Sequence, residues 1–310
     1  MLPLVAALGA AVAGWTARAV VARRRHADVA RRLPVGPSGI IAGAEPFTLP
    51  ARGPSADGGP AVLMLHGFGD TPQTLRYLGG ALHSAGWTVR VPLLPGHGRT
   101  LAEYGRSDAA AWLTHARDEL AALRARHREV ALVGLSMGGA LACVLAAENP
   151  DVRALALLAP YLSMPTTIRR LARVYPMLEL VTPWAAGRGE RSIHDDREAA
   201  RSLAYGFVAP HLLRELLRVV ETAQDAMPRI MTPTLVVYSR QDNRVPTDAA
   251  EREYAKLRMP ERELVWLERC GHLITVDHEH HEVSARVSAF LARHVGVGAE
   301  RQAATGSGAD

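Results

Sequence analysis

Hydrophobic positions along this chain fall into two alternating kinds of run. Short, nearly continuous apolar stretches occur at 61–65, 88–93, 130–135, 154–159, 234–238 and 264–267. Continuous runs of this length fit strands buried on both faces, where an exposed face would impose alternation. Between them lie helical patterns. Within 108–127, Leu113, Ala116, Leu120 and Leu123 recur at three-to-four spacing, while Arg117, Glu119, Arg124 and Arg126 point elsewhere. Repeated strand–helix–strand order predicts an α/β fold, a mostly parallel sheet with helices on both faces. Functional groups then belong on loops at the carboxyl ends of the strands.

The rhythm breaks once. About seventy positions separate the strand ending near Pro160 from the one beginning at Thr234, far more than one crossover needs. They contain helical patterns at 168–180 and 211–224 and breaks bounded by proline. We read about 161–230 as a helical cap inserted over the strand ends of a main domain, 61–295.

The two ends read differently from this body. Residues 2–22 are apolar or small apart from Thr16 and Arg18, and Arg23-Arg24-Arg25 follow directly. That length spans a bilayer as a helix. The basic residues come after the apolar segment, the reverse of a cleavable signal peptide. Residues 1–33 are therefore a candidate membrane anchor, with membrane contact through 1–25 and the remaining chain expected in the cytoplasm. The alternative is an Ala-rich helix of a soluble cytoplasmic protein. Residues 34–60 are rich in Pro and Gly and read as a linker, with short edge strands at Ile40-Ile41 and 47–49. The tail 296–310 has too little apolar content to fold.

Composition adds limits. At 310 residues with 48% hydrophobic and 22% charged residues, the chain is globular. Its net charge of +5 owes part of its excess to the arginines at 23–25, 31 and 32. No basic stripe interleaved with aromatics follows, so nucleic acid is not an expected partner. Two cysteines, Cys143 and Cys270, build no disulfide framework and lack metal-ligand spacing. Cys143 lies in an apolar helical stretch as a small hydrophobe.

The chemistry concentrates at Gly134-Leu135-Ser136-Met137-Gly138, between a buried strand and the helical run 140–148. A serine on so tight a strand-to-helix turn projects its Oγ from the sheet. The glycines remove side chains that would strike the neighbouring strand and helix. Ser136 is the candidate nucleophile. Its base is His272, in Cys270-Gly271-His272 after the last strand, and Asp242, after the preceding strand, has the slot of the acid that orients the imidazole. Asp248 and Glu268 are fallback acids. Two backbone N–H groups are expected to form an oxyanion hole, one from Met137 and one from Phe68 in the loop after the first long strand.

Taken together, His66-Gly67-Phe68-Gly69-Asp70-Thr71-Pro72, Pro95-Gly96-His97-Gly98, Gly134-Leu135-Ser136-Met137-Gly138-Gly139 and Gly271-His272 resemble the bacterial monoacylglycerol lipase and carboxylesterase family. These proteins are grouped with serine-aminopeptidase-like α/β-hydrolases. The resemblance covers about residues 60–295. It implies a capped α/β-hydrolase fold acting without a cofactor on short- or medium-chain carboxylic esters or monoacylglycerols. The family roles fall on Ser136, Asp242, His272, Phe68 and Met137. The N-terminal apolar segment departs from that family, and the cap does not match closely enough to transfer substrate contacts. Peptidase, thioesterase and acyltransferase chemistry remain open on the same scaffold, as does a non-catalytic binding protein. His97 is read as a turn histidine packed under the cap. His278, His280 and His281 with Glu279 and Glu282 read as a solvated charged face, and no metal is expected.

Overall fold

The computed structural model describes residues 2–52, 58–186 and 192–295, with only the backbone described for 2–13. The expected tail at 296–310 and part of the Gly/Pro stretch at 53–57 lie outside the described residues. Among the described residues nine strands occur in chain order: β1 (Phe47–Leu49), β2 (Ala61–Leu65), β3 (Thr88–Val91), β4 (Val130–Leu135), β5 (Leu155–Leu158), β6 (Ala185–Ala186), β7 (Phe207–Val208), β8 (Thr234–Ser239) and β9 (Arg262–Leu267). Seven form one sheet in the order β1-β3-β2-β4-β5-β8-β9, parallel throughout except for β1, which runs antiparallel to β3 at the edge. The six apolar runs of the sequence are the six parallel strands. β2, β4 and β8 are buried at every position, as their unbroken hydrophobicity requires.

Because side chains alternate across a strand, the sheet builds two cores. Leu63, Leu65, Leu132, Val236 and Tyr238 face one side, under α4 (Ala109–Arg124), α5 (Met137–Glu148), α9 (Pro210–Ala226) and α10 (Thr247–Ala255). Val62, Met64, Val133, Leu135, Leu235 and Val237 face the other, under α2 (Arg76–Ser84) and α11 (His280–His294). Helix α4 begins where the sequence predicts. Asp108 caps it, accepting from the Ala111 N–H at 2.7 Å, and Leu113, Ala116, Leu120 and Leu123 form its buried face.

Between β5 and β8 the chain forms α6 (Thr166–Arg173), α7 (Tyr175–Val181), β6, α8 (Asp196–Ala200), β7 and α9. The helical pattern at 168–180 resolves into two helices, since Pro176 in the first turn of α7 cannot continue α6. Helix α9 packs on both α5 and α6, joining this excursion to the helix that follows Ser136.

The expected N-terminal membrane anchor finds no support in the structure. Helix α1 (Leu2–Arg32) runs through the arginine cluster without a break, and no described helix is long and apolar enough to cross a membrane. Its last turns dock on the body instead. Val29 and the following Leu33 are buried in the first core, Arg25 lies over the Phe207 ring at 4.5 Å, and Arg32 donates to the carbonyls of Ala204 and Tyr205. The short α3 (Leu101–Tyr104) lies beside it. The segment after α1 is packed as well: Ile41 is buried and its N–H donates to the Gly98 carbonyl at 2.8 Å. The edge strand expected at Ile40-Ile41 is reduced to a single bridge, Val35 to Ile41.

Candidate active site

Ser136 sits between β4 and α5 with φ 55° and ψ −117°, a conformation that non-glycine residues rarely adopt. Strain of this kind costs about 1–3 kcal/mol and persists only where the surroundings dictate it. The glycines supply that dictation. A Cβ on Gly134 would lie 2.3 Å from the Gly138 carbonyl oxygen, and one on Gly138 would lie 2.1 Å from that of Leu65. The Ser136 N–H donates to Leu158 at 2.9 Å, and its carbonyl accepts from Tyr161 at 3.0 Å. The serine is thus pinned to the strand beside it, its side chain lifted off the sheet.

The structure brings all three predicted side chains together. His272 Nε2 is 2.8 Å from Ser136 Oγ, and His272 Nδ1 is 2.8 Å from Asp242 Oδ2. The other carboxylate oxygen of Asp242 accepts from the N–H groups of Arg244 at 2.7 Å and Val245 at 2.9 Å. Burial alone raises a carboxyl pKa. For Asp242, however, the adjacent His272 and those two N–H donors outweigh burial and hold it below the ordinary range. A carboxylate so held remains an acceptor and fixes the imidazole with Nδ1 protonated and Nε2 turned to the serine. The fallback acids are elsewhere: Asp248 and Glu268 are exposed and pair with Arg252 and Arg240.

Phe68 lies in the loop after β2, and Met137 opens α5. A Cβ on Gly67 would lie 3.3 Å from Ser136 Cβ, so this loop passes directly against the nucleophile turn. His66 steadies it: Nδ1–H donates to the Gly67 carbonyl at 3.0 Å, and Nε2 accepts from the Leu94 N–H at 3.0 Å. Burial, then the neighbouring His97, pushes the His66 pKa far down, keeping the ring neutral and able to accept. The Phe68 ring turns into an aromatic cluster with Tyr104, Trp112 and His97, at centroid distances of 5.7, 5.9 and 6.5 Å. His97 is buried, as expected, and burial lowers its pKa to about 4.

Two carboxylates near the site escape a reading of the sequence. Asp70 is buried, accepts from the Thr74 hydroxyl at 2.7 Å, and is close enough to His272 to feel its charge. Burial raises its pKa to about 6. Glu279, assigned to a solvated face, has a side chain only 9% exposed. It accepts from the N–H groups of Arg269 at 2.8 Å and Cys270 at 3.1 Å, fixing the loop that leads to His272. The rest of that histidine run is not a uniform charged face either, since His280 stacks on Tyr77 at 4.5 Å. Five consecutive polar residues, 278–282, give no sign in the sequence of which members turn inward. Among the described residues no cluster of three or more His, Cys, Asp or Glu side chains is placed to hold a metal. Neither thiol is activated: burial pushes Cys143 up to about 12 and raises Cys270 as well.

Residues 59–279 match the family model described as serine aminopeptidase, S33. A thermostable monoacylglycerol lipase of Bacillus sp. (strain H-257) is 29% identical over 265 residues, covering 83% of this chain and 98% of that protein. A carboxylesterase of Bacillus subtilis (strain 168) is 27% identical over 240 residues, covering 76% and 93%. Among solved structures, one from the work on LipS and LipT, two metagenome-derived lipolytic enzymes, superposes with a TM-score of 0.74 at 29% identity, covering 82% of this chain and all of that one. The monoacylglycerol lipase of Paleococcus ferrophilus superposes with a TM-score of 0.66 at 19% identity, covering 81% and 99%, a likeness of fold. A strained serine turn, a histidine and a buried aspartate in one hydrogen-bonded line, and a family match over most of the chain lead to one statement: this protein belongs to the serine aminopeptidase S33 family of α/β-hydrolases.

Proposed function

We propose that this protein is a serine hydrolase of carboxylic esters, working through an acyl-enzyme on Ser136. The observation that carries the reading is the unbroken line from Asp242 through His272 to Ser136, with both links at 2.8 Å. In this reading His272 Nε2 takes the Ser136 proton as Oγ attacks the ester carbonyl, and the Phe68 and Met137 N–H groups hold the developing oxyanion. Imidazolium formed at His272 is stabilised by Asp242, which keeps its charge throughout. His272 then protonates the departing alcohol. In the second half it activates water against the acyl-enzyme, and no cofactor takes part.

Within this chemistry we assign short- and medium-chain esters or monoacylglycerols as substrates, by likeness to the lipase and carboxylesterase relatives. A lipid surface as the site of action is supported by the outer face of α7, where Met177, Leu180 and Val181 are exposed, and by exposed Trp15 on α1 above the arginine cluster. With no spanning helix among the described residues, contact through residues 1–25 is peripheral in this reading.

The test is Ser136→Ala. Loss of roughly 10⁶-fold in kcat on aryl esters is expected, and activity near wild type would reject the assignment. A panel of acyl chain lengths, with aminoacyl amides and acyl thioesters beside the esters, then measures which acyl group is preferred and excludes peptidase or thioesterase chemistry.

A further inference from the structure

The side chain of Asp277 plays no part in that mechanism, yet it is wholly buried. Among the described residues its hydrogen-bond partners are four backbone N–H groups. Oδ2 accepts from Gly271 at 2.7 Å and His194 at 2.9 Å; Oδ1 accepts from Asp195 at 2.9 Å and His278 at 2.9 Å. Gly271 immediately precedes His272. His194 and Asp195 belong to segment 192–195, which leads into α8. On the other flank of His272, the Leu273 N–H donates to the Ser192 carbonyl at 2.9 Å. Segment 192–195 is therefore tied to the backbone on both sides of the histidine. The fit leaves no slack: a Cβ on Gly271 would come within 2.6 Å of the Ser192 oxygen. Ser192 Oγ also accepts from Arg244 Nε at 3.1 Å, two residues past Asp242.

A buried carboxylate is costly unless its lone pairs are satisfied, and charge-assisted bonds to N–H groups are the strong, directional kind. Here they are spent on holding two separate loops in register. We propose that Asp277 is a positioning residue that fastens segment 192–195 to the backbone flanking His272 and so holds the base in line with Ser136. This rests on the reading of His272 as the base.

Asp277→Asn is the first test. The amide keeps one oxygen for two donors but turns its own NH₂ toward the other two. Turnover is measured on a small soluble aryl ester, per active site titrated with a fluorophosphonate. The expectation is about a 10²-fold fall in kcat per labelled site, with KM changed by less than about threefold, since a small displacement of the base is enough. A merely structural role would lower the labelled fraction and leave turnover per labelled site alone. The second test acts from segment 192–195. Asp195 has φ −67°, which a proline adopts, so Asp195→Pro deletes the N–H that meets Asp277. Asp195→Ala removes the helix-capping side chain but keeps that N–H, and serves as its reference. Asp195→Pro is expected to turn over about tenfold more slowly per site than Asp195→Ala. This pair decides the matter if Asp277→Asn fails to fold. Asp277→Asn at wild-type turnover per site, or equal rates for the two Asp195 variants, would overturn the proposal alone. Wild-type protein that takes no label would overturn the Ser136 reading and this role with it.

Discussion

The turn that carries Ser136 and the helices α6 and α7 are built on opposite terms. From 130 to 146, through β4 and into α5, every residue is buried. Three glycines at 134, 138 and 139 are packed against backbone or side chains that leave no room for a Cβ. In α6 and α7, Ala172 is the only buried residue, and Met177, Leu180 and Val181 are 69–79% exposed. One region is over-determined, so its strained serine has a single conformation. The other is held by little besides α9 and is open to change on its outer face. The proposed chemistry thus rests on the most constrained part of the molecule, and the proposed lipid contact on the part that packing constrains least.

That contrast is most easily broken at Gly138. Gly138→Ala places a Cβ where the Leu65 carbonyl stands, and neither backbone can move without shifting the sheet. Loss of at least about 3 kcal/mol in urea unfolding is expected. A midpoint unchanged from wild type would show the turn to be softer than its contacts imply.

Asp70 tests the same region through pH. Its folded pKa of about 6 lies above the ordinary carboxyl value of 3.8, so the fold favours its protonated form. The stability it lends is complete below about pH 3.8 and is lost as pH rises through about 6. Asp70→Asn lacks this titration. The variant should gain on wild type by on the order of 2–3 kcal/mol between pH 4 and pH 7, at about 1.4 kcal/mol for each pH unit separating the folded and unfolded values. Urea melts of both proteins at the two pH values measure it, and a constant difference would count against the buried charge.

The smallest effect belongs to the outer face of α7. Met177→Ser with Leu180→Ser should change stability by no more than about 0.5 kcal/mol, with turnover of a soluble aryl ester within about twofold of wild type. Co-sedimentation with anionic lipid vesicles should weaken. Unaltered vesicle binding would remove this face from the proposed lipid contact.

By itself the sequence determined the strands, because a strand buried on both faces must be apolar throughout, and 61–65 and 130–135 leave no other reading. It determined the nucleophile turn for a similar reason. The glycines flanking Ser136 answer to steric demands that are local, set by one strand and the helix it feeds. The chain order of serine, aspartate and histidine then placed Asp242 and His272 in their slots, and the side chains do meet. Only the tertiary structure decided what happens across distance. Residues 2–22 look like a bilayer span when hydropathy is read along the chain. The turns that follow show where α1 docks, with Val29 and Leu33 buried in a core built mostly from residues far along the chain. Glu279 reads as one more charge in a polar run, yet it caps the loop before His272. Asp277 carries no local signal at all. Its four partners come from 194, 195, 271 and 278, and a carboxylate's worth to a fold depends on which N–H groups the packing turns toward it. Backbone donors have no letter of their own in a sequence, so what they hold in place becomes legible only once the chain has closed.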